Sequence, residues 1–345
     1  MSLIYLEGFD DDLYTVRSTN GSAQTPNTAN GRLGLKGVRL GNTPNLGFEP
    51  RTQWSMGGSD TIVVGFAMRI VSWGSSGVPG YAASIALLGS GQYFSIDRSG
   101  ITNNFLLRIN AVNYSMDTDI SSFPDNEWHY VEFKVKFHAS TGTVEFRLDG
   151  NTTASYTSLN TGSPPGDWYP GAWMPNGTPY MNEAWFDDVY VLNGAGSANN
   201  DFLGDVQILP LSPNANGNSS VLVGSDGNST DNYLLVNDSS NSTYVGSATE
   251  GDKDTYGMSD LAVTSGSVLG VMTSIVGTRS DSGNKYLRHV IRSGGTDYPS
   301  SSFLVPATPS VALTEVPWDT DPDTASAWTA SGVNAIELGP EVRDS

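Results

Sequence analysis

The amino-acid sequence predicts an all-β protein with two sandwich domains. Of its 345 residues, 39 are Gly and 18 are Pro, and only 15% are charged. This composition is typical of short strands joined by turns rather than of helices, which favour Ala, Leu, Glu and Lys. The clearest pattern lies at residues 128–150, where apolar and polar residues alternate over 131–137 and again over 144–148. Two alternating runs joined by a short turn that contains a glycine predict an antiparallel hairpin.

The first domain is predicted to span residues 1–195. Within the hairpin, Lys134 or Lys136 is expected to lie opposite Glu145, which would help to fix the register of the two strands. The number and close spacing of the strands predict a sandwich of two sheets. Beyond the hairpin, strands are predicted at residues 2–9, 32–40, 61–71, 84–88, 92–97, 104–110, 152–156 and 184–192.

The second half of the chain is predicted to form a smaller β-sandwich over residues 205–317. A small, polar, glycine-rich stretch at 196–204 predicts the linker that precedes it. Its strands are predicted at residues 206–209, 233–236, 261–264, 268–276, 286–292, 302–305 and 310–316.

The C-terminal segment, residues 318–345, contains the only predicted helix. Thr329 or Ser331 would cap this helix and Gly339 would end it. Four apolar side chains of the segment are expected to be packed rather than exposed to water: Trp318, Trp328, Val333 and Ile336.

Charge and composition restrict the classes of function. The net charge of −19 argues against binding to nucleic acid or to an anionic membrane, since both require clustered Lys and Arg. The chain has no Cys, which excludes disulfides and thiolate metal sites. Its longest apolar run, residues 61–71, is too short to cross a membrane. The N-terminal residues lack the features of a signal peptide, so we expect a protein made without its own export signal and without membrane insertion.

An aromatic and proline-rich stretch at residues 163–183 is predicted to be a long loop. Loops of this length are uncommon unless they have a function. Its rings could cover the end of the sandwich, anchor a protein interface or stack on sugar rings. The candidate contact residues are Trp168, Tyr169, Trp173 and Tyr180.

Motifs around the hairpin give the first domain a family resemblance. Trp-His at 128–129, Asp-Gly-Asn at 149–151, Phe-Asp-Asp-Val-Tyr-Val at 186–191 and Glu-Gly-Phe-Asp at 7–10 resemble the laminin-G-like branch of the concanavalin A-like lectin/glucanase superfamily. The resemblance covers residues 1–195. It implies an N-terminal concanavalin A-like jelly-roll sandwich of two sheets.

The second half resembles structural proteins of tailed bacteriophages, at residues 200–206, 224–233, 318–322, 327–329 and 332–335. This resemblance implies a non-enzymatic structural component of a phage particle, either a capsid decoration or a tail or baseplate fibre protein. Such a component would be made in the host cytoplasm and lie on the virion exterior. Its partners would be other virion proteins and further copies of itself, because weak contacts become strong when many copies are displayed together. The alternative is a glycan-binding module that recognises a host surface.

Catalytic motifs are missing from the sequence. Glucanases of the superfamily carry a Glu-x-Asp-x-Glu triplet on one strand, because retaining hydrolysis needs two carboxyl groups across one bond. Here Glu183 and Asp187 would share a strand face, but Trp185 stands between them. The sequence also has no GxSxG, HExxH or Walker motif. We therefore expect a protein that is not an enzyme.

Calcium is the one cofactor that the sequence leaves open. Laminin-G-like domains often hold this ion at the rim of a loop, and it binds clustered carboxylate and carbonyl oxygens. In a chain rich in Asp and Asn, turns and caps alone generate similar clusters. The candidate ligands are Asp10, Asp12, Asp187, Asp188, Asp226 and Asp231.

Overall fold

A computed structural model describes residues 2–10, 30–41, 58–73, 81–89, 92–99, 104–109, 112–119, 126–164, 168–173, 181–238, 240–261, 266–308, 310 and 312–345. For the strands between residues 81 and 119, for 168–173 and for 181–184, the description is of the backbone. The chain divides into two units, Met1–Ile208 and Leu209–Ser345.

The described part of the first unit contains two antiparallel sheets. One has seven strands in the order β1-β12-β3-β8-β9-β10, with β2 also paired to β12, and the other has five in the order β11-β4-β5-β6-β7. The chain passes from the first sheet to the second between β3 and β4 and returns between β7 and β8, which confirms the predicted two-sheet jelly-roll sandwich. The strands are β1 Leu3–Glu7, β2 Val38–Gly41, β3 Thr61–Trp73, β4 Tyr81–Gly89, β5 Gln92–Ser99, β6 Asn104–Ile109, β7 Val112–Asp119, β8 Trp128–Lys136, β9 Gly142–Leu148, β10 Asn151–Leu159, β11 Trp168–Trp173 and β12 Met181–Leu192.

The hairpin register is confirmed. Lys134 lies opposite Glu145 in the pairing of β8 with β9, and Lys136 lies opposite Thr143. The charged side chains of Lys134 and Glu145 do not pair with each other, however. The ammonium of Lys134 contacts Asp201 at 3.0 Å, while Glu145 accepts a hydrogen bond of 3.0 Å from Arg147.

The central strand β3 is buried on both faces, since every residue from 62 to 68 is buried. Successive residues of a strand project to opposite faces of the sheet. Val63 and Ala67 therefore lie on one face, where they pack with Tyr130, Tyr190 and Leu192. Phe202, Leu203 and Val206 pack on the same cluster.

Residues 201–208, which we name the strap, thus cover this face of the seven-stranded sheet. The amide of Gly204 donates to Glu132 at 2.9 Å, and the amide of Leu203 donates to the Tyr190 hydroxyl at 3.2 Å. These contacts correct the sequence interpretation, because the stretch 196–204 belongs to the first unit instead of linking two domains. The strand predicted at 206–209 is also absent from the described structure, since the strap pairs with side chains rather than with a strand.

The described part of the second unit is again antiparallel. A six-stranded sheet has the order β13-β16-β22-β18-β19, with β20 also paired to β18, and two ribbons pair β14 with β15 and β17 with β21. The strands are β13 Pro213–Ser220, β14 Val223–Gly224, β15 Val245–Gly246, β16 Asp254–Met258, β17 Val271–Gly277, β18 Lys285–Ser293, β19 Thr296–Pro299, β20 Phe303–Val305, β21 Ala312–Trp318 and β22 Glu337–Arg343.

The C-terminal residues complete this unit. The predicted short helix is present as α1, Ala330–Val333, and the Thr329 hydroxyl caps it by accepting the Gly332 amide at 2.9 Å. Trp328, Val333 and Ile336 are buried in one cluster with Ile291, against which Trp318 packs, so the predicted packing of this segment is confirmed.

Two local predictions in the second unit are wrong. Gly339 does not end the helix but lies inside β22, where a Cβ atom would overlap the backbone carbonyl oxygen of Asp254. The strand predicted at 233–236 is a 3₁₀ turn, Asn232–Leu235. Asp231 enters this turn with a φ of 55°, a left-handed conformation that breaks an extended run. Most of the strand predicted at 261–264 lies outside the described residues.

Candidate functional site

The aromatic stretch predicted as a loop contains a strand. Trp168, Tyr169 and Trp173 lie on β11, which pairs with β4 over its whole length, from Trp168 opposite Gly89 to Trp173 opposite Ser84. Pro170 is compatible with this strand because β11 is at the edge of its sheet, where one side needs no donor. Tyr180 lies outside the described residues. The aromatic residues are therefore arranged along a sheet edge.

Asp187 and Asp188, two of the calcium candidates, are buried on β12. The carboxylate of Asp187 accepts the amides of Arg32 at 2.7 Å and of Asp188 at 2.9 Å. That of Asp188 accepts the Ile208 amide at 2.7 Å and the Arg32 guanidinium at 3.1 Å. The pair therefore anchors the end of the strap and the 3₁₀ turn at Arg32–Gly34 to the sheet.

Burial governs the electrostatics of this carboxyl pair. Loss of water, followed by the nearby charge of Asp188, raises the pKa of Asp187 to about 8. Burial also raises the pKa of Asp188, although the Ile208 amide and Arg32 oppose that shift. The same guanidinium contacts Asp205 of the strap at 2.5 Å.

The geometry does not fit a calcium ion at these residues. A bound calcium needs six to eight oxygen ligands, yet all four carboxylate oxygens of Asp187 and Asp188 accept hydrogen bonds from N–H groups. Asp10 accepts the Lys36 amide at 2.8 Å, and Asp12 lies outside the described residues. Across the described ranges, no group of three or more Asp, Glu or His side chains could hold a metal ion.

The calcium candidates of the second unit form turns. Asp226 accepts the Asn228 amide at 3.1 Å and its side-chain amide at 2.8 Å, which is a local Asx-type turn. Asp231 is exposed and its side chain makes no capping hydrogen bond to the 3₁₀ turn that follows. Both residues therefore lie in turns, which is the alternative to calcium binding that the composition suggested.

Among the described residues, two carboxylates with no exposed surface were not predicted from the sequence. Glu132 is fully buried on β8 and accepts hydrogen bonds from the Tyr190 hydroxyl and the Gly204 amide. Burial and the charge of Glu132 raise the pKa of Tyr190. In the sequence, Glu132 belongs to the polar face of an alternating strand, so no local signal shows that the strap covers it.

The second of these carboxylates, Asp254, is also fully buried. One oxygen accepts the amides of Val221 at 2.6 Å and Leu222 at 2.8 Å, and the other accepts Asn232 Nδ2 at 2.6 Å and the Tyr256 hydroxyl at 2.9 Å. Each oxygen thus receives two neutral donors. Asp254 is a structural anchor and not an accessible acid or base.

The histidine of the second unit is structural as well. His289 is buried on β18, with Nδ1 2.8 Å from the Thr273 hydroxyl and Nε2 3.0 Å from the Thr314 hydroxyl. Burial lowers the pKa of His289 to about 3, so the ring is neutral at physiological pH. It joins the β17–β21 ribbon to the six-stranded sheet.

Comparison with known proteins gives structural likeness only. No family profile matches the sequence, and neither does any curated protein. Among solved structures, the binding domain of Paraclostridial Mosquitocidal Protein 1 is 12% identical, with a TM-score of 0.40 over 56% of this chain and 49% of that one. This chain thus spans about half the length of that protein.

Two enzymes illustrate the range of the other similar structures. Domain 4 of AbnA, an extracellular arabinanase from Geobacillus stearothermophilus in complex with arabinotriose, is 14% identical, with a TM-score of 0.39 over 55% of this chain and 91% of that one. Alginate lyase vAL-1 from Chlorella virus is 10% identical, with a TM-score of 0.33 over 54% and 91%. Likeness at this level carries no argument about function.

The membrane prediction concerns helices. Within the described residues, no helix has the length and apolar character needed to cross a membrane.

Proposed function

We propose that the first unit is a non-catalytic glycan-binding module whose binding edge is strand β11. The observation that carries this proposal is the placement of Trp168, Tyr169 and Trp173 on one edge strand. Pairing with β4 fixes the backbone of all six residues. A fixed backbone lowers the entropy cost of presenting aromatic residues to a ligand, and aromatic rings supply the flat apolar surface on which sugar rings stack.

The four buried carboxylates described above favour binding over catalysis. A general acid or base must lie within hydrogen-bonding reach of its substrate. Glu132, Asp187, Asp188 and Asp254 are instead buried and hold backbone amides, hydroxyl groups or a guanidinium. Glu132, Asp187 and Asp188 hold the strap in the first unit, and Asp254 holds the segment before β14 in the second.

A glycan array tests the proposal, with the full chain applied in the presence and absence of calcium. We expect binding to at least one glycan class without calcium and without product release. Trp168→Ala and Trp173→Ala should each weaken binding by about tenfold or more. Tyr244→Ala is the matched control, because it removes an exposed aromatic ring from the second unit. Absence of binding to every glycan, or equal loss in the control, would contradict the proposal.

A second candidate function, the structural phage component on the virion exterior, is supported by the roles of the phage-like motifs. Residues 200–206 overlap the strap, and residues 224–233 run from the end of β14 into the 3₁₀ turn. Trp318 ends β21 and packs on the buried C-terminal cluster. These motifs therefore belong to the structural framework of the chain, which proteins of one structural class would share. Cryo-EM of the particle should then show this chain in repeated copies at symmetric positions. Recovery only as a free monomer would contradict this candidate.

A further inference from the structure

Exposed apolar side chains are concentrated in one lobe of the second unit, residues 221–246. Of the seven large apolar residues that the described part of the chain leaves exposed, four lie in this lobe. Val221 and Val223 are each 50% exposed, Leu234 is 53% and Tyr244 is 59%, while Leu222 between the two valines is buried. Single exposed apolar residues are ordinary, but a group on one face marks an interaction site.

Strand register places Val223 and Tyr244 on one face, and Val221, two residues before Val223 and outside β14, is equally exposed. Val223 lies opposite Gly246 and Gly224 opposite Val245, and the Ser225 amide extends the pairing by donating to Tyr244 O at 2.8 Å. Directly opposed residues of an antiparallel pair project to the same side. Tyr244 is therefore the diagonal neighbour of Val223. We name Val221, Val223 and Tyr244 the valine–tyrosine face.

The two sides of this ribbon differ in cover. On the inner side, Gly224 is buried, and a Cβ atom there would overlap the side chain of Leu235. On the outer side, a Cβ atom at Gly246 would meet no atom within 4 Å. The glycine opposite Val223 thus leaves open space above the valine–tyrosine face.

The face is also rigidly supported. Asp254 accepts the amides of Val221 and Leu222 and the side chain of Asn232, and the Ser220 hydroxyl donates to Ser229 O at 3.0 Å. A preorganised surface binds with less ordering cost than a mobile one.

Negative charge lies close to the face along the chain. Residues 206–252 contain five Asp or Glu and no Lys, Arg or His. Asp226 follows Ser225, the residue opposite Tyr244, and Asp238 accepts the hydroxyl of Thr243 at 3.0 Å. The hydrogen bonds that these two exposed carboxylates accept from described residues come from neutral donors. Their charge is available to a partner.

We propose that the valine–tyrosine face is a docking surface for a protein that presents an apolar side chain flanked by Arg or Lys. The apolar group would fill the space above Gly246, and the cations would pair with Asp226 and Asp238 or lie over the ring of Tyr244. A second copy of this chain fits less well, because two such faces would bring their acidic residues together. The surface is in the second unit and does not depend on glycan binding by the first.

The test measures binding of the full chain to immobilised short peptides at low and high salt. The probes are a peptide of alternating Leu and Arg, one of alternating Leu and Glu, and one of alternating Gly and Arg. We expect binding to the Leu–Arg peptide alone, with weakening at high salt. Tyr244→Ala, and separately the double change Asp226→Asn with Asp238→Asn, should each weaken it about tenfold or more. Leu304→Ser and Asp260→Asn, which alter exposed residues outside the lobe, should leave it unchanged.

Several results would overturn the proposal. These are no binding to the Leu–Arg peptide, equal binding to either other peptide, or equal effects of the lobe and control variants. Light scattering adds a separate readout, since a dimer that Tyr244→Ala abolishes would assign the face to a second copy instead. Unchanged thermal unfolding of Tyr244→Ala is the check that its exposed ring can be removed without loss of folding.

Discussion

Replacing Asp254 with Asn is expected to destabilise the second unit, because this buried carboxylate joins β16 to the base of the lobe. One oxygen accepts the amides of Val221 and Leu222. The other accepts the side chain of Asn232 and the hydroxyl of Tyr256. The substitution keeps the shape of the side chain but exchanges one acceptor oxygen for a donor.

The size of the effect follows from which oxygen is replaced. An amide group turned towards Val221 and Leu222 would face two fixed N–H donors. Turned the other way, it would face the Tyr256 hydroxyl, which can rotate and accept, and the side-chain amide of Asn232, which donates. Hydrogen bonds to a charged group contribute about 1.5–3 kcal/mol each. Losing one and weakening the others, partly offset by relief of a buried charge, gives an expected loss of roughly 2–4 kcal/mol in the free energy of unfolding.

Urea denaturation of the full chain measures this loss. Asp231→Asn is the matched control, since it makes the same chemical change at an exposed position near the lobe's 3₁₀ turn. That control should stay within about 0.5 kcal/mol of the unaltered protein. The reasoning would be refuted if Asp254→Asn fell within the same limit.

Three further predictions concern buried groups. Because burial holds the pKa of His289 at about 3, below its ordinary value of 6.5, its contribution to stability should be lost as pH falls below 6.5. The free energy of unfolding should fall by up to about 1.4 kcal/mol per pH unit. A His289→Gln variant whose free energy of unfolding, measured by urea titration, depends on pH in the same way would contradict this prediction. The raised pKa of Asp187 has the opposite effect on stability. Relative to Asp187→Asn, the unaltered protein should lose stability as pH rises from 3.8 towards about 8. If the stabilities of the two proteins varied with pH in parallel, the prediction would be wrong. Gly339→Ala should cost about 1–3 kcal/mol through overlap with Asp254, whereas Gly246→Ala, with open space around its Cβ, should be nearly neutral; equal unfolding midpoints would show the predicted overlap to be wrong.

The sequence predicted the first unit well because its strands follow simple alternation. The β8–β9 hairpin has one apolar face and one polar face in sequence, and of the two lysines predicted to lie opposite Glu145 it is Lys134 that does so. Residues 201–204 of the strap were included in the predicted linker because the stretch 196–204 is rich in small and polar residues. Glu132 and Tyr190 lie far apart in sequence, and no local pattern indicates that they bind a glycine amide.

The second unit was less predictable because tertiary contacts override local preference. Strand β13 has the sequence PNANGNSS, without apolar alternation, and it forms because β16 offers an edge for pairing. Strand β22 contains Gly339 and Pro340, which are unfavourable within a sheet. Its ladder with β16 pairs Leu338 with Tyr256 and resumes at Glu341 opposite Lys253, so the interruption falls at these two residues.

The candidate site was predicted in composition but not in conformation. Trp168, Tyr169 and Trp173 were selected for their aromatic character, and five prolines in the stretch suggested a loop. An edge strand tolerates proline, so β11 forms despite Pro170. For the acidic residues, spacing alone could not distinguish calcium ligands from anchors, since three of the four donors to Asp187 and Asp188 come from residues 32 and 208.

A crystal structure of the full chain with an oligosaccharide selected on the glycan array would test the central claim most directly. Glycan binding through β11 predicts a sugar ring against at least one of Trp168, Tyr169 and Trp173, at the free edge of the five-stranded sheet. An oligosaccharide bound elsewhere on the chain, with these three residues free of contact, would contradict the proposed function.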